Sequence, residues 1–347
     1  MAVSTIFAPK FDITSKAVDA LPSITKLQGY AHADTAKSVF QVLNTAVPYG
    51  LLWFAMYKSL ALPYWVTLLL AIPTALLTVR LFIFQHDAGH GSFFNSRKWN
   101  DATGFWIGVL TLTPYHYWQK THAIHHATSG NLDKRGFGDI DTLTVKEYLS
   151  LSRWRRFKYR AYRNPVTMFL VGPFYQFIIK HRYPADIPAT WKREWRSVHF
   201  TNALLIGVTL LAAATVGIKD FLLIQIPVSI LASSAGAWFF YIQHQYENTY
   251  WRRDAEWDYF QASVKGSSLY KLPKIFQWFT GSIGYHHIHH YNSRIPNYKL
   301  QRCHEENPEF QSVTKLTFLT SLKCIPLALW DEGKNKLVGF RDVPANV

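Results

Sequence analysis

Four long windows without Asp, Glu, Lys or Arg constrain the fold of this chain more than any other feature. The windows cover residues 38–57, 59–79, 198–218 and 221–243. A helix rises about 1.5 Å per residue, so about 20 residues cross a hydrocarbon core of roughly 30 Å. Four such windows exceed what the core helices of a soluble protein would supply. They predict transmembrane helices near residues 38–57, 60–84, 198–218 and 221–243.

The four predicted spans form two pairs with minimal connections. The first connection lies around Lys58 to Pro63, and the second consists of Lys219 and Asp220. Connections this short predict two helical hairpins. Two further apolar stretches, residues 104–114 and 165–179, are shorter than a span and predict interfacial or re-entrant helices.

The distribution of basic residues predicts the orientation in the membrane. The net charge of +15 arises from 37 Lys and Arg against 22 Asp and Glu. Seventeen of these basic residues lie in residues 87–200 and 13 follow His244, whereas the hairpin turns carry almost none. By the positive-inside tendency, we expect both termini and the two long polar segments in the cytoplasm.

This orientation gives a domain organisation. Residues 1–37 lack the compact apolar run of a signal peptide, and we interpret them as a cytosolic N-terminal segment. Residues 38–347 are expected to form one membrane domain, whose cytosolic cap consists of residues 85–197 and 244–347.

The basic run from Arg153 to Arg163 alternates with aromatic residues. In a membrane protein it indicates a solvated or headgroup-facing stripe, or a surface for an acidic electron carrier, rather than a surface for nucleic acid.

Histidines cluster in three short motifs. One HxxHH motif is expected by chance about 0.03 times at this length and histidine content, so two such motifs are not a coincidence. The motifs are an HxxxH box with His86 and His90, a first HxxHH box with His122, His125 and His126, and a second HxxHH box with His286, His289 and His290.

The spacing of these boxes indicates a metal site. Positions i, i+3 and i+4 share one helix face, so each box directs its imidazoles to one side. Imidazole suits Fe, Cu, Zn and Ni, and eight histidines are too many for one ion, so we expect two transition-metal ions. His287 falls between the coordinating positions and is left out. An even number of predicted spans separates the boxes, so all three emerge on the same side of the membrane.

Other residues are weaker candidates for this site. His244, at the end of the fourth predicted span, is a possible ninth ligand. His116 is expected to pack or to contact headgroups. Four histidines are expected at ordinary surface or interface positions: His32, His181, His199 and His304. Four acidic residues are candidates to orient ligand imidazoles: Asp87, Asp139, Asp141 and Glu247.

Four segments carry a resemblance to a known family. They read HDAGHGSFF from His86, HAIHHATSGNLDKRGFGDIDTLTVKEY from His122, QHQYENTYW from Gln243 and GSIGYHHIHHYNSRIPNY from Gly281. Over roughly residues 40–330 the chain resembles membrane-bound fatty acid desaturases of the three-histidine-box, di-iron type. Within that family it is most similar to the acyl-lipid omega-6 (delta-12) desaturases.

The resemblance implies a fold and a reaction. The fold would be an all-α integral membrane protein, with four transmembrane helices in two hairpins and a cytosolic helical cap that holds a di-iron site. The reaction would be an O2-dependent desaturation of an acyl chain in a membrane lipid at the delta-12 position. Electrons would come from a separate ferredoxin or cytochrome b5 type carrier. No catalytic side chain is implied beyond the metal ligands, which would be His86, His90, His122, His125, His126, His286, His289, His290 and, as the additional histidine, His244.

Two alternative functions stay open. The same boxes could serve a membrane di-iron hydroxylase of fatty acids, alkanes or carotenoids. A non-catalytic metal transporter is more remote, because transporters place ligands near the bilayer midplane, whereas these boxes flank the spans. No GxGxxG motif follows a strand, so the sequence offers no nucleotide cofactor site. Four aromatic residues could line an acyl tunnel or form a membrane-interface belt, and we expect the belt for most of them: Trp106, Tyr115, Tyr117 and Trp118.

Overall fold

The computed structural model describes residues 24–343, and this part of the chain is mainly helical. Its helices are α1 (Ile24–Leu27), α2 (Thr35–Ser59), α3 (Trp65–His90), α4 (Arg97–Leu110), α5 (Tyr115–Thr128), α6 (Val145–Ser150), α7 (Arg153–Tyr162), α8 (Gly172–Phe174), α9 (Lys192–Thr215), α10 (Ile218–His244), α11 (Tyr259–Lys265), α12 (Lys274–Phe279), α13 (His286–Tyr291), α14 (Asn297–Glu306) and α15 (Phe318–Ser321). Its strands are β1 (Leu143–Thr144), β2 (Leu269–Tyr270), β3 (Lys315–Leu316), β4 (Leu327–Asp331) and β5 (Lys336–Gly339).

Four of the described helices, α2, α3, α9 and α10, are long and apolar enough to cross a membrane. This confirms the four predicted spans. The Asp34 side chain caps α2 by accepting a hydrogen bond from the Lys37 backbone N–H, and α3 ends at Gly91 with a φ of 71°. Two helices continue past the charge-free windows, α3 to His90 and α10 to His244. Histidines of the predicted site therefore lie directly on the ends of these long helices.

Both predicted hairpins are present. Between α2 and α3, the hydroxyls of Ser59 and Thr67 lie 2.8 Å apart, so the hairpin satisfies its own buried polar groups. Between α9 and α10, Gly217 makes the turn at a φ of 88°. The long helices meet in an apolar cluster of buried side chains: Met56, Ala71, Ile224 and Val228.

The two shorter apolar stretches fold as helices outside the long bundle. The first lies in α4, whose Ile107 packs with residues of α3. The second lies in a continuous run of helical turns, residues 167–182, which we name the bridging segment. It consists of α8 flanked by π-helical turns at Thr167–Val171 and Tyr175–Ile179 and a final 3-10 turn at Lys180–Arg182.

The described residues also form five short strands, which were not predicted from the sequence. β1 pairs in parallel with β4, and β4 pairs antiparallel with β5. β2 pairs in parallel with β3. β4 and β5 are neighbours in the sequence, whereas the two parallel pairings join segments far apart, and the β1–β4 pairing ties the C-terminal part of the chain to the region that follows α5.

The segment that carries the third histidine box docks on one face of α3. Arg80 of α3 is buried and donates to Thr45 Oγ1 at 3.0 Å and to the Trp278 carbonyl. Its guanidinium lies 4.1 Å from the Trp278 ring centroid. Further along the same face, Gly281 has a φ of +52°, and a Cβ there would lie 2.8 Å from Ile83 Cγ2. The approach to α13 is therefore fixed by close contacts with α3.

We predict that Gly281→Ala lowers the free energy of unfolding by about 1–3 kcal/mol, because the left-handed backbone and the Ile83 contact both oppose a Cβ. Thermal unfolding of the detergent-solubilised protein measures this. The control is Gly236→Ala in α10, where no atom lies within 4 Å of the added Cβ and the melting temperature should be unchanged or higher. Equal effects of the two substitutions would show that the turn at Gly281 tolerates a side chain.

Candidate metal centre

Four elements bring nine histidines together. The last turns of α3 supply His86 and His90, and the end of α10 supplies His244. Helix α5 supplies the second box and α13 the third. Because the i, i+3 and i+4 positions of a helix share a face, these short helices point several rings to one place, as the spacing predicted.

The nine histidines form two groups, and within each group one ring nitrogen per residue lies within 4.8 Å of all the others. The first group contains His86, His90, His122, His126 and His289, and the second contains His125, His244, His286 and His290. The two groups are in direct contact, because the ring of His126 in the first group stacks on the ring of His290 in the second, with centroids 4.1 Å apart. These are the nine residues that were predicted from the sequence as ligands, and the structure brings all of them together.

The ring nitrogens converge in a way that hydrogen bonds among them do not explain. His126 Nε2 lies 3.1 Å from His122 Nε2 and 3.0 Å from His289 Nε2, yet one neutral imidazole carries a single N–H. His286 Nε2 lies 3.0 Å from His244 Nε2. Among the residues that the structure describes, three further buried Nε2 atoms lack a hydrogen-bond partner, those of His90, His125 and His290. Converging lone pairs of this kind fit bound transition-metal cations.

The electrostatic environment keeps these rings in the metal-binding form. Burial, followed by the repulsion of neighbouring histidines, holds the pKa values of His126 and His289 well below the usual range. The same causes lower the pKa values of His286 and His290. These four rings are therefore neutral at physiological pH, and a neutral ring nitrogen is the species that coordinates a metal.

Two of the four acidic candidates orient rings of the centre. Asp139 Oδ1 accepts a hydrogen bond from His125 Nδ1 at 2.6 Å, and Asp87 Oδ1 lies 3.1 Å from His86 Nδ1. The interpretation is wrong for the other two candidates. The side chain of Asp141 is exposed and forms no hydrogen bond with a histidine within residues 24–343, and Glu247 pairs with Lys336 at 2.8 Å.

Asp87 also links the first box to the segment after the third box. Its Oδ2 accepts from the backbone N–H of Asn297 at 2.8 Å and from Asn297 Nδ2 at 2.9 Å. No spacing in the sequence relates these two residues, so this contact could not be predicted. A second orienting contact, from His244 Nδ1 to the Gly266 carbonyl at 2.9 Å, was also absent from the sequence analysis because backbone acceptors leave no motif.

Aromatic side chains border the centre. The Trp118 ring stacks on His122 with centroids 4.5 Å apart, and Phe240 lies 5.2 Å from His125. Trp106 is exposed, as expected of an interface belt, whereas Tyr115 and Tyr117 are buried. Most of the four aromatic candidates therefore lie inside the protein rather than in a belt.

The remaining histidines lie outside both groups. His287 is buried and its Nε2 lies 3.0 Å from His304 Nδ1. His32 and His199 are exposed. The expectation of ordinary surface or interface positions is wrong for His181 and His304, because both are buried. Their isolation in the sequence gave no sign of this, since burial depends on tertiary packing.

The chain is similar to known proteins. The fatty acid desaturase family matches residues 59–319, which include all three histidine boxes and His244. A fatty acid desaturase of Bacillus subtilis (strain 168) is 44% identical over 318 residues, which cover 92% of this chain and 90% of that protein.

More distant relatives carry more detailed names. An sn-1 acyl-lipid omega-3 desaturase (ferredoxin) of Synechocystis is 28% identical over 65% of this chain and 62% of its own length. An endoplasmic reticulum omega-3 fatty acid desaturase of Vigna radiata is 27% identical over 63% of this chain and 59% of its own length. The matched region thus spans about three fifths of these two relatives.

We predict that Asp139→Asn lowers the transition-metal affinity of the purified protein about 10–100-fold, because His125 loses a charged hydrogen-bond acceptor. Equilibrium dialysis followed by elemental analysis measures the bound metal. The matched control is Asp141→Asn, two residues further along and without a histidine contact, which should bind as the wild type does. Equal affinities for both variants would contradict an orienting role of Asp139.

The burial of His181 predicts a pH dependence of stability. Burial lowers the pKa of His181 from 6.5 to about 3, so between these values the unfolded chain binds a proton that the folded chain does not. Stability is therefore lost as the pH falls below about 6.5. In His181→Phe, the loss between pH 7 and pH 5 should shrink by about 2 kcal/mol. Melting curves at both pH values test this, with His199→Phe as the exposed control; an unchanged slope in His181→Phe would refute the assignment.

Proposed function

This chain belongs to the fatty acid desaturase family and is an oxidoreductase, and from that premise we propose that it introduces a cis double bond into an acyl chain of a membrane lipid. One observation carries the proposal, the convergence of nine histidines in groups of five and four at one end of the long apolar helices. Such a donor set suits two iron ions, with the nine histidines as ligands.

Iron in these two groups would supply what no side chain can, the reduction of O2 coupled to removal of hydrogen from two unactivated methylene carbons. The protein's own residues have other tasks. Asp139 and Asp87 hold two imidazoles in fixed orientation, and the buried rings present neutral nitrogens. Trp118 and Phe240 cover the rings with apolar surface and help to exclude water.

We propose that the double bond is placed at the delta-12 (omega-6) position. The support is the resemblance of the boxes at His86, His122 and His286 to those of acyl-lipid omega-6 desaturases. Several relatives bear omega-3 names, and the omega-3 position is the competing outcome. The Bacillus relative's name specifies no position.

We propose further that electrons come from a separate carrier of the ferredoxin or cytochrome b5 type. Two observations support this. The Synechocystis relative is named as a ferredoxin enzyme. The 347 residues contain no HPGG-type haem motif and no GxGxxG motif after a strand. On the positive-inside tendency, we place both termini and the histidine centre on the cytoplasmic side, where such a carrier would reach it.

Expression in a bacterial host that makes no dienes, fed with oleate, tests the reaction. We expect a delta-12 diene in the membrane lipids by gas chromatography with mass spectrometry. A diene with the new bond at the omega-3 end would correct the position and keep the reaction. An oxygenated chain without any diene would instead identify a hydroxylase and overturn the proposal.

In the same assay His289→Ala should reduce diene formation at least about 100-fold, because a lost ligand leaves the first group open. His199→Ala, which removes an exposed histidine outside both groups, is the control and should make diene at the wild-type level. Immunoblotting of the membrane fraction corrects for expression. Wild-type turnover by His289→Ala would exclude this residue from the centre.

A further inference from the structure

A long stretch of this chain is basic without any acidic residue. Residues 148–185 contain eight Lys or Arg and no Asp or Glu. They are Arg153, Arg155, Arg156, Lys158, Arg160, Arg163, Lys180 and Arg182. The stretch includes α7 and the bridging segment, and neither contributes a ligand to the histidine centre. Lys180 pairs with Asp186 just beyond the stretch at 2.7 Å, and the remaining excess of cations favours an anionic partner.

The bridging segment lies at the same depth as the ends of the long helices. Near its start, the Phe169 ring lies 5.0 Å from the Trp238 ring and 5.1 Å from the Tyr241 ring, both in the last two turns of α10. Near its end, Arg182 donates to Asn202 Oδ1 of α9 at 3.0 Å. The segment therefore runs between two spans at the bundle end that holds the histidines, which is the level of a membrane–water interface.

The outer face of the bridging segment is apolar. Four of its large side chains are exposed, Leu170, Val171, Tyr175 and Ile179, and Val166 directly before the segment is exposed as well. The same end of the molecule thus presents an apolar row at the depth where a bilayer begins. A row in this position is covered by lipid when the four spans are in a membrane.

Helix α7 continues this surface with aromatic rings set among cations. Trp154 and Phe157 are 62% and 59% exposed, and their rings stack with centroids 5.4 Å apart. Lys158 Nζ lies 5.2 Å from the Trp154 ring centroid. Exposed Trp and Phe beside Lys are the side chains typical of a helix that lies in the headgroup layer.

The six basic residues from Arg153 to Arg163 divide into two sets. Arg156 and Arg163 make hydrogen bonds within the protein. Arg156 donates to the Leu149 and Leu151 carbonyls, and Arg163 donates to Gln245 Oε1 and to the Leu327 carbonyl. Arg160 donates to the Tyr148 hydroxyl. In contrast, Arg153, Arg155 and Lys158 are exposed and form no ion pair within residues 24–343. Three cations are thus free for an external anion.

We propose that α7 lies on the bilayer surface, with Trp154 and Phe157 inserted among headgroups and Arg153, Arg155 and Lys158 bound to the phosphates of anionic phospholipids. Two observations favour lipid over an acidic protein. The cations alternate with exposed aromatic rings, and α7 is followed by the apolar row of the bridging segment. The proposal requires only that the four long helices span a bilayer, so its test is independent of the proposed reaction.

A fluorescent label at position 157 tests this contact. The full-length Phe157→Cys protein is labelled with an environment-sensitive dye and reconstituted in nanodiscs of phosphatidylcholine, with or without phosphatidylglycerol. The native cysteines, Cys303 and Cys324, are buried. We expect a blue-shifted emission that is quenched by lipids with a headgroup nitroxide, with at least about twofold stronger quenching in the anionic bilayer. The control label, at Glu305→Cys on the exposed face of α14, should remain water-exposed in both bilayers.

Charge variants separate headgroup binding from simple proximity. Adding R153Q, R155Q and K158Q to the labelled protein should abolish the difference between the two bilayers, whereas R153K with R155K should retain it. Size-exclusion chromatography checks that each variant is folded. A label as water-exposed as the control in both bilayers overturns the proposal. The proposal is also overturned if the triple variant keeps the difference in quenching between the two bilayers. It is overturned as well if a blue shift appears only when an acidic electron carrier is added to the neutral bilayer.

Discussion

The structure depends on holding nine imidazole rings together with their lone pairs directed at common points. Buried polar nitrogens without partners are costly, and several nitrogens here converge or lack a partner among the described residues. Bound cations would remove that cost, and metal binding would then be coupled to correct folding of this region. The nine histidines lie at the ends of long helices and on short helices that are fixed by contacts elsewhere. The burial that lowers the pKa values of His126 and His289 also keeps their rings available to a metal.

Helix α3 organises most of these contacts. It carries the first box at its end, and one of its faces receives the third-box segment through Arg80, Ile83 and Asp87. An arginine within a span is expensive in a bilayer, and here it is buried against a carbonyl, a hydroxyl and an aromatic ring. The membrane helix thereby serves both as an anchor in the lipid and as the template on which α13 is placed.

Patterns that repeat along the chain could be predicted, and contacts between distant segments could not. Charge-free windows gave the four long helices, and histidine spacing gave eight of the nine clustered residues, with His244 found from its place at a helix end. Asp139 and Asp141 are indistinguishable by sequence position, yet only the first reaches a ring. The burial of His181, the Asn297 contact and the short strands all arise from tertiary packing, which leaves no local pattern.

X-ray absorption spectroscopy at the iron edge of the purified full-length protein, combined with elemental analysis, tests the central claim most directly. We expect two irons per chain, coordinated mainly by imidazole nitrogen at about 2.0–2.2 Å. A single iron, or a coordination dominated by carboxylate oxygen or sulfur, would contradict an all-histidine centre shared between the two groups.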